Sequence, residues 1–361
     1  MSIRPNIPTK NLTELSRAEF GALMADFGQP KYRALQLFQW VFQKGARTFD
    51  EMTNLPKSLR DRFIAEGYAV GRARLGRVAE SIDGTRKLPV HLDDGSVVET
   101  VLIPMGDRKF TQCLSSQVGC ALDCKFCYTG TLGLARHLTA GEIVDQVILG
   151  RSVLPDDARI SHLVYMGMGE PLHNFDAVVK SLAPICDPEG LGYSYRKVTI
   201  STSGLIPEIE RLGQTVPVNL AISLNASNDV IRDDIMPINK KYNLSKLMGA
   251  LRAYPLPPRR KMTMEYVLLG GVNDSREHAH ELARLLRGLS VRINLIPWNP
   301  FSGPGYDRPE DGKVREFQDI LVRQRYTVTV RVTKGLDIDA ACGQLGERAD
   351  IPTIEKGREE M

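Results

Sequence analysis

Long apolar segments are absent from this sequence. No apolar run approaches the roughly 18 residues that span a bilayer. The first residues, MSIRPNIPTKNLTEL, lack the apolar core of a secretory signal. We therefore expect a cytoplasmic protein with no membrane partner. With 42% hydrophobic and 25% charged residues, the composition excludes a disordered chain, a collagen and a coiled-coil rod. The length of 361 residues predicts two domains, or a large catalytic domain with a smaller attachment.

Acidic residues are absent from Ile235 to Met264, although the net charge of the chain is only +4. This stretch favours an anionic partner, or else it is a solvated face whose counter-charges lie elsewhere in the fold. Its basic residues are Lys240, Lys241, Lys246, Arg252, Arg259, Arg260 and Lys261.

Cysteines are few, and six of them in a cytosolic chain do not make a disulfide framework. Three form the motif Cys120-x3-Cys124-x2-Cys127. Three thiolates can hold three corners of an iron–sulfur cube and leave the fourth iron open to substrate, whereas a purely electron-transferring cluster normally has four. A structural zinc site is the alternative. It needs a fourth ligand, for which His137 is the nearest candidate.

The pattern of apolar residues changes twice along the chain. Up to about residue 75 it is helical, with helices predicted in KYRALQLFQWVFQKG and NLPKSLRDRFIAEG. From about 77 to 118 it has a period of two, and Asp94-Gly95 is typical of a hairpin turn. We expect an N-terminal helical accessory domain with a linker hairpin at 1–90, a catalytic domain at 91–350 and a tail at 351–361.

Strands then alternate with helix-like stretches, and Thr139 with Glu142 forms a capping box. Repeated βα units predict an α/β fold with a parallel sheet, either open or barrel-shaped. Functional residues gather at the C-terminal ends of such strands. The predicted strands are 162–168, 197–204, 218–224, 262–269, 291–298 and 326–333.

The cysteine motif, with Phe126 before its last cysteine, resembles the radical S-adenosylmethionine superfamily. Gly167-Met168-Gly169-Glu170-Pro171 follows a predicted strand, as that superfamily's aminopropionate-binding turn does. The wider set CLSSQVGCALDCKFC, GMGEPL, STSG, PINKKY, EYVLLGGVND, LIPWNPF and DIDAACGQL resembles the RlmN/Cfr family of RNA-adenine methyltransferases. The resemblance covers nearly the whole chain. It implies an incomplete (β/α)6 radical-SAM barrel with a small N-terminal helical accessory domain that binds RNA.

The resemblance also implies a mechanism. One [4Fe-4S] cluster would be held by Cys120, Cys124 and Cys127, and two S-adenosylmethionine molecules would be consumed per methylation. One molecule methylates Cys342, and a 5′-deoxyadenosyl radical from the other removes hydrogen from that methyl group. The methylene radical adds to adenine and joins protein to RNA. Cys113 resolves the link through a disulfide with Cys342, which a reductant resets.

Further roles follow from the same matching. Glu99 corresponds to the family's proton acceptor. Asn225 stands where the family often has histidine, and Tyr128 where serine or alanine is common. Cys186 has no such context and is predicted to be structural. The predicted contacts to S-adenosylmethionine are Gly169, Glu170, Ser201, Ser223, Leu224, Asn225 and Asn299.

The RlmN branch of the family would methylate C2 of one adenosine in 23S rRNA and of the adenosine that follows the anticodon in tRNA. The target base must be flipped out of its helix. Phosphate contacts are predicted for 235–264 and 193–197. The expected partners are 23S rRNA, tRNA and an electron donor such as flavodoxin, and the chain is expected to be monomeric.

Three alternatives stay open on the sequence. The Cfr branch methylates C8 of the same rRNA adenosine, although GMGEP, PWNP and DAAC favour the C2 branch. A radical enzyme with another substrate would keep its activity without Cys342. A zinc-stapled RNA-binding module without catalysis would contain no iron.

Overall fold

A computed structural model describes residues 10–301 and 305–346, so the predicted tail at 351–361 lies outside the described residues. Its framework is one eleven-stranded sheet with the order β15-β14-β13-β12-β11-β10-β7-β6-β5-β3, in which β4 also pairs with β5. Strands β7 and β10 to β15 are parallel to one another. The strands of this sheet are β3 (Arg74–Leu75), β4 (Ala79–Glu80), β5 (Arg86–His91), β6 (Val97–Pro104), β7 (Lys109–Cys113), β10 (Arg159–Tyr165), β11 (Val198–Thr202), β12 (Asn219–Ser223), β13 (Met262–Leu268), β14 (Val291–Pro297) and β15 (Thr327–Val330).

Helices cover the connections between the parallel strands. The predicted capping box is present, because Thr139 accepts a hydrogen bond from the backbone N–H of Glu142 at 3.2 Å and begins α5. The six predicted strands are β10 to β15, with ends that differ by up to three residues. The predicted α/β class and incomplete barrel are therefore confirmed. The barrel helices are α4 (Tyr128–Thr131), α5 (Ala140–Ser152), α6 (Phe175–Cys186), α7 (Ile206–Thr215), α8 (Asp229–Ile235), α9 (Leu244–Ala253), α10 (Arg276–Leu285) and α11 (Asp311–Arg323).

The N-terminal region is helical, as predicted. Its core contains edge-to-face aromatic pairs such as Phe20 with Phe38, whose ring centroids are 5.3 Å apart. This region is fixed to the barrel by Arg47, whose guanidinium lies 2.9 Å from the buried carboxylate of Asp145 on α5. Its elements are β1 (Lys10–Asn11), α1 (Arg17–Asp26), α2 (Lys31–Phe42), α3 (Lys57–Ala65) and β2 (Tyr68–Ala69).

The predicted hairpin joins this region to the barrel. Strands β5 and β6 pair antiparallel on either side of Asp94-Gly95, and β6 pairs antiparallel with β7. Because β3 and β5 precede residue 91 and belong to the main sheet, the sheet begins before the predicted catalytic domain. The exact domain boundaries stay predictions. Within the described ranges, no helix has the length and apolar character to cross a membrane.

Candidate active site

The three motif cysteines lie on one loop at the C-terminal end of the barrel. A short ribbon of β8 (Gln117–Gly119) and β9 (Leu134–His137) supports this loop. Gly119 has φ +76°, and an added Cβ would lie 1.8 Å from the Gly133 carbonyl oxygen, so only glycine fits there. The backbone N–H of Cys120 donates to that oxygen at 2.8 Å. The chain thus turns sharply from β8 into the cysteine loop.

The cysteine loop forms one wall of an open cavity. The other walls are the C-terminal ends of β10 to β14 and the segment after β15. Predicted site residues in the lining are Cys120, Cys124, Cys127, Gly169, Glu170, Ser201, Ser223, Asn225, Asn299 and Cys342.

Because the three motif thiols are buried, they do not readily lose their protons unless a cation is bound beside them. Burial raises the pKa of Cys120 to about 11 and that of Cys124 well above its usual value, and repulsion from neighbouring thiolates adds to the rise. Thiolate ligands therefore need compensating positive charge, which iron would supply. Within 10–301 and 305–346, no three His, Cys, Asp or Glu side chains form a group that could hold a metal ion. The three motif cysteines share one wall of the cavity, and soft thiolate ligands fit an iron–sulfur cluster.

An apolar cluster covers the outer side of the cysteine loop. Phe126 packs with Trp298 and Phe301, and the Trp298 indole N–H donates to the Phe126 carbonyl oxygen at 3.0 Å. The ring of Tyr128 meets Phe301 edge-on, with centroids 5.7 Å apart. The tyrosine that departs from the family pattern therefore extends this cover, which limits the access of water to the thiols.

Glu170 is held rigidly on the cavity wall. Its carboxylate accepts hydrogen bonds from the backbone N–H groups of Leu172 and Ser203, at 3.0 and 2.8 Å. Burial raises its pKa, and these N–H groups oppose that rise. Gly169 before it has φ +97°, and an added Cβ would lie 2.5 Å from the Gln117 side chain. A buried, oriented carboxylate of this kind can bind an ammonium group such as that of a methionine moiety.

The ends of β11 and β12 present hydroxyl and amide groups. The hydroxyl oxygens of Ser201 and Ser223 are 3.4 Å apart. Asn225 has φ +57°, a conformation that asparagine tolerates. Its side-chain oxygen accepts from the Val267 N–H at 2.9 Å, so this amide connects the ends of β12 and β13. Leu224 is fully buried and is not in the cavity lining, so it can contribute only through its backbone.

Cys342 and Cys113 come together behind the cysteine loop. Cys342 faces the cavity, and both thiols line a smaller adjoining pocket that also reaches Cys127. Burial raises the pKa of Cys113 to about 12, and the nearby Cys342 adds to this. The Asn299 side-chain amide donates to the Cys342 carbonyl oxygen at 3.1 Å and fixes that segment against β14. The two cysteines are thus neighbours and are both free thiols.

Glu99 does not line the cavity. It lies buried on β6, where its carboxylate is 3.1 Å from the Lys87 ammonium nitrogen. The other carboxylate oxygen accepts from the Gly346 N–H at 2.8 Å. Glu99 is therefore linked to the segment that carries Cys342, but not to the cavity itself.

Sequence reasoning missed two charged residues of the cavity wall. Glu265 on β13 is buried, and burial raises its pKa. Arg331 follows β15, and the neighbouring Cys342 is the largest cause of its raised pKa, with Glu265 and Cys113 contributing. A charged residue inside an otherwise apolar strand such as MTMEYVL was the available signal for Glu265. Arg331 had no comparable signal, because it follows the alternating strand TVTV and does not interrupt an apolar run.

Arg232 on α8 was also missed, and it holds the cavity wall from behind. It is fully buried and donates hydrogen bonds to the carbonyl oxygens of Leu224, Ser203 and Ser223, at 3.0, 2.7 and 3.3 Å. Burial lowers its pKa to about 10, with the nearby Cys124 opposing that change, so it stays charged at neutral pH. Arg232 therefore joins the ends of β11 and β12 and brings positive charge towards the cysteine loop.

Replacing Arg232 with methionine is expected to lower the free energy of unfolding by about 3 kcal/mol, because buried carbonyl groups lose their donor. S-adenosylmethionine should bind roughly tenfold more weakly, because the ends of β11 and β12 loosen; this factor corresponds to about 1.4 kcal/mol. Urea unfolding and equilibrium dialysis measure the two effects. The control is Lys240→Met on the exposed turn after α8. An unfolding free energy equal to that of the control would contradict this role.

Family models match two parts of the chain. Residues 10–67 match the ribosomal RNA large subunit methyltransferase N-terminal domain, and residues 114–284 match the radical SAM superfamily. These segments coincide with the N-terminal helices and with the barrel that carries the cysteine loop. The sequence resemblance is therefore confirmed in both regions.

Curated relatives and a solved structure extend the match. The dual-specificity RNA methyltransferase RlmN of Geobacter sulfurreducens is 48% identical over 336 residues, covering 93% of this chain and 92% of the relative. That of Desulfosudis oleivorans is 47% identical over 343 residues, covering 95% and 91%. A radical SAM methyltransferase from Sphaerobacter thermophilus superposes with a TM-score of 0.88 at 42% identity, covering 94% of this chain and 99% of that one. The chain belongs to the RlmN family of radical S-adenosylmethionine RNA methyltransferases.

Proposed function

We propose that this enzyme methylates C2 of a specific adenosine in 23S rRNA and of the adenosine 3′ of the anticodon in tRNAs, through a methylated Cys342. One observation carries the proposal: Cys342 lines the same cavity as the three-cysteine loop and has Cys113 beside it. The name of the relatives, dual-specificity RNA methyltransferase, supports action on two kinds of RNA.

The cavity residues fit the cofactors that the radical SAM family implies. Cys120, Cys124 and Cys127 would hold a [4Fe-4S] cluster, and Glu170 would bind the amine of S-adenosylmethionine. When bound, this pair supplies an organic radical from one electron, delivered by a donor such as flavodoxin. Adenine C2 is not nucleophilic, so a polar methyl transfer fails there. Each methylated product would therefore consume two S-adenosylmethionine molecules, one that supplies the methyl group and one that supplies the radical.

Cys342 would act as the methyl carrier. A thiolate is the nucleophile in methyl transfer, and the guanidinium of Arg331 supplies nearby positive charge for it. Asn299 holds the Cys342 backbone from one side, and the Gly343 carbonyl oxygen accepts from the Tyr128 N–H at 2.7 Å on the other. These contacts would keep the sulfur facing the cavity while a flipped adenine enters.

Cys113 and Glu99 would complete the reaction. Cys113, as a thiolate, would attack the Cys342 sulfur, and the bond between that sulfur and the transferred carbon would break as a disulfide forms. The released carbon would take up a proton to become the methyl group of the RNA, and a reductant would then restore both thiols. Glu99 would accept the ring proton. The Gly346 N–H now occupies one of its carboxylate oxygens. For Glu99 to reach the substrate, the segment from Gly343 to Gly346 would have to move when RNA binds.

Product analysis tests this function. The protein, with its cluster shown to be intact, is incubated anaerobically with reductant, S-adenosylmethionine and an unmodified 23S rRNA fragment or tRNA. The nucleosides are then compared by mass spectrometry with 2-methyladenosine and 8-methyladenosine standards. We expect 2-methyladenosine from both RNAs. 8-Methyladenosine would move the enzyme to the C8 branch, and no methylated adenosine would overturn the proposed substrate.

A further inference from the structure

A group of exposed lysine and arginine residues that the proposed mechanism does not use lies at the opposite end of the barrel from the cavity. Five exposed cations, here called the basic belt, lie in the loops that lead into strands β11, β13, β14 and β15. They are Lys197, Arg259, Lys261, Arg287 and Arg325.

The belt follows one edge of the sheet. Lys261 precedes β13 and donates from its ammonium nitrogen to the Thr327 hydroxyl at the start of β15, at 3.4 Å. Four spacings between neighbouring strands give the edge from β11 to β15 a length of about 19 Å. The belt therefore follows the curved N-terminal edge of the barrel over several strands.

Few acidic residues lie along this edge. The loops at 216–218, 254–261, 286–290 and 324–326 contain no aspartate or glutamate. The loop into β11 contains Asp187, which pairs with Arg17, and Glu189, which accepts a hydrogen bond from the Gln39 amide. In the part of the chain that the structure describes, no belt residue forms an ion pair. Beyond β11, Asp157 in the loop into β10 pairs with Arg108. Uncompensated surface cations of this kind attract a polyanion.

We propose that the basic belt binds the phosphate backbone of the RNA substrate at a distance from the reacting base. The inference rests on the proposed function. It also changes the predicted role of 193–197 and 235–264: Lys197, Arg259 and Lys261 lie on the face away from the cavity, and only the part near Lys240 lies at its mouth.

The geometry favours RNA over an acidic protein. Strand β13 has seven residues, so about 23 Å separates the belt from the cavity mouth. An electron donor must approach the cysteine loop, which is at the other end of the strands. A long RNA can instead present its reacting base at the mouth and follow the edge of the sheet with its backbone. The belt should therefore contribute to the binding of long substrates and not to that of a minimal hairpin.

The test compares two double variants with equal charge change. Lys197→Glu/Lys261→Glu alters the belt, and Lys313→Glu/Arg315→Glu alters exposed positions on α11. Each is assayed with a chemical reductant on a minimal target hairpin and on a 23S rRNA fragment of several hundred nucleotides. The dissociation constant of the long RNA is also measured directly by fluorescence anisotropy over a range of salt concentrations.

For the belt variant, we expect the long RNA to bind at least tenfold more weakly, and the slope of log affinity against log salt to fall by about 1.5. Hairpin kcat and KM should match those of the control. Unchanged binding of the long RNA, or equal loss on both RNAs, would overturn the proposal. Slower reduction by flavodoxin with unchanged RNA binding would do the same and identify a protein surface. Belt-dependent RNA binding without any methyladenosine would support the belt and overturn only the proposed function.

Discussion

Cys342→Ala is expected to abolish RNA methylation, with a loss of more than about 10³-fold, because no other thiol faces the cavity in the same position to carry the methyl group. The iron content and the S-adenosylmethionine affinity should stay those of the unaltered protein, since the three cysteines of the loop and Glu170 are retained. Methyladenosine is quantified by mass spectrometry, and iron by absorption of the anaerobic protein.

The control is Cys186→Ala, which removes a cysteine at the end of α6 that does not line the cavity. This variant should keep its activity. Full methylation by Cys342→Ala would contradict the cysteine carrier and indicate a radical enzyme of different mechanism. Loss of iron in Cys342→Ala would instead mean that this residue supports the cluster.

Cys113→Ala is expected to stop the reaction after the RNA has become joined to the protein. Cys113 and Cys342 line one pocket, so Cys113 is the thiol that can attack the Cys342 sulfur. Less than one product should form per enzyme, and a covalent protein–RNA species should accumulate on a denaturing gel. Its mass should equal that of the protein and the RNA joined through one carbon.

The double variant Cys113→Ala/Cys342→Ala controls for non-specific crosslinking and should give no covalent species. Repeated turnover by Cys113→Ala would contradict the resolving role. Cys113 lies at the end of β7 in a buried position. The folded state of each variant is therefore checked by its thermal unfolding midpoint, because loss of a buried side chain can lower stability.

Local patterns in the sequence predicted much of this molecule. The spacing of the three cysteines indicated a cluster site. The six strands β10 to β15 and the cap at Thr139 were predicted from residue periodicity and helix-start chemistry. These features depend on residues close together in the chain, and short-range sequence patterns report on such residues.

Other features depended on contacts that the sequence does not display. Arg232 stands in the polar run DVIRDDI, and nothing there shows that its guanidinium reaches the carbonyl groups of two strand ends. Leu224 is buried beside Ser223 on the cavity wall, so its predicted contact to S-adenosylmethionine stays a prediction that its backbone would have to fulfil. Lys197 and Lys261 were predicted to bind RNA because of the local charge. Which end of the barrel they lie on depends on the direction of the strands that follow them, β11 and β13.

Residue patterns alone predicted the order of strands and helices, the three-thiol loop and the family, because spacing, periodicity and motifs along the chain indicate them. The resemblance implied that Cys113 and Cys342 act together, but their proximity depends on the curvature of the sheet, because Cys113 ends β7 and Cys342 follows β15 at the other end of the parallel strands. The tertiary structure also places Glu99 against Lys87 and Gly346 instead of in the cavity. Both findings have the same cause. Packing between segments that are distant in the chain decides which face of a strand is buried and which residues it contacts.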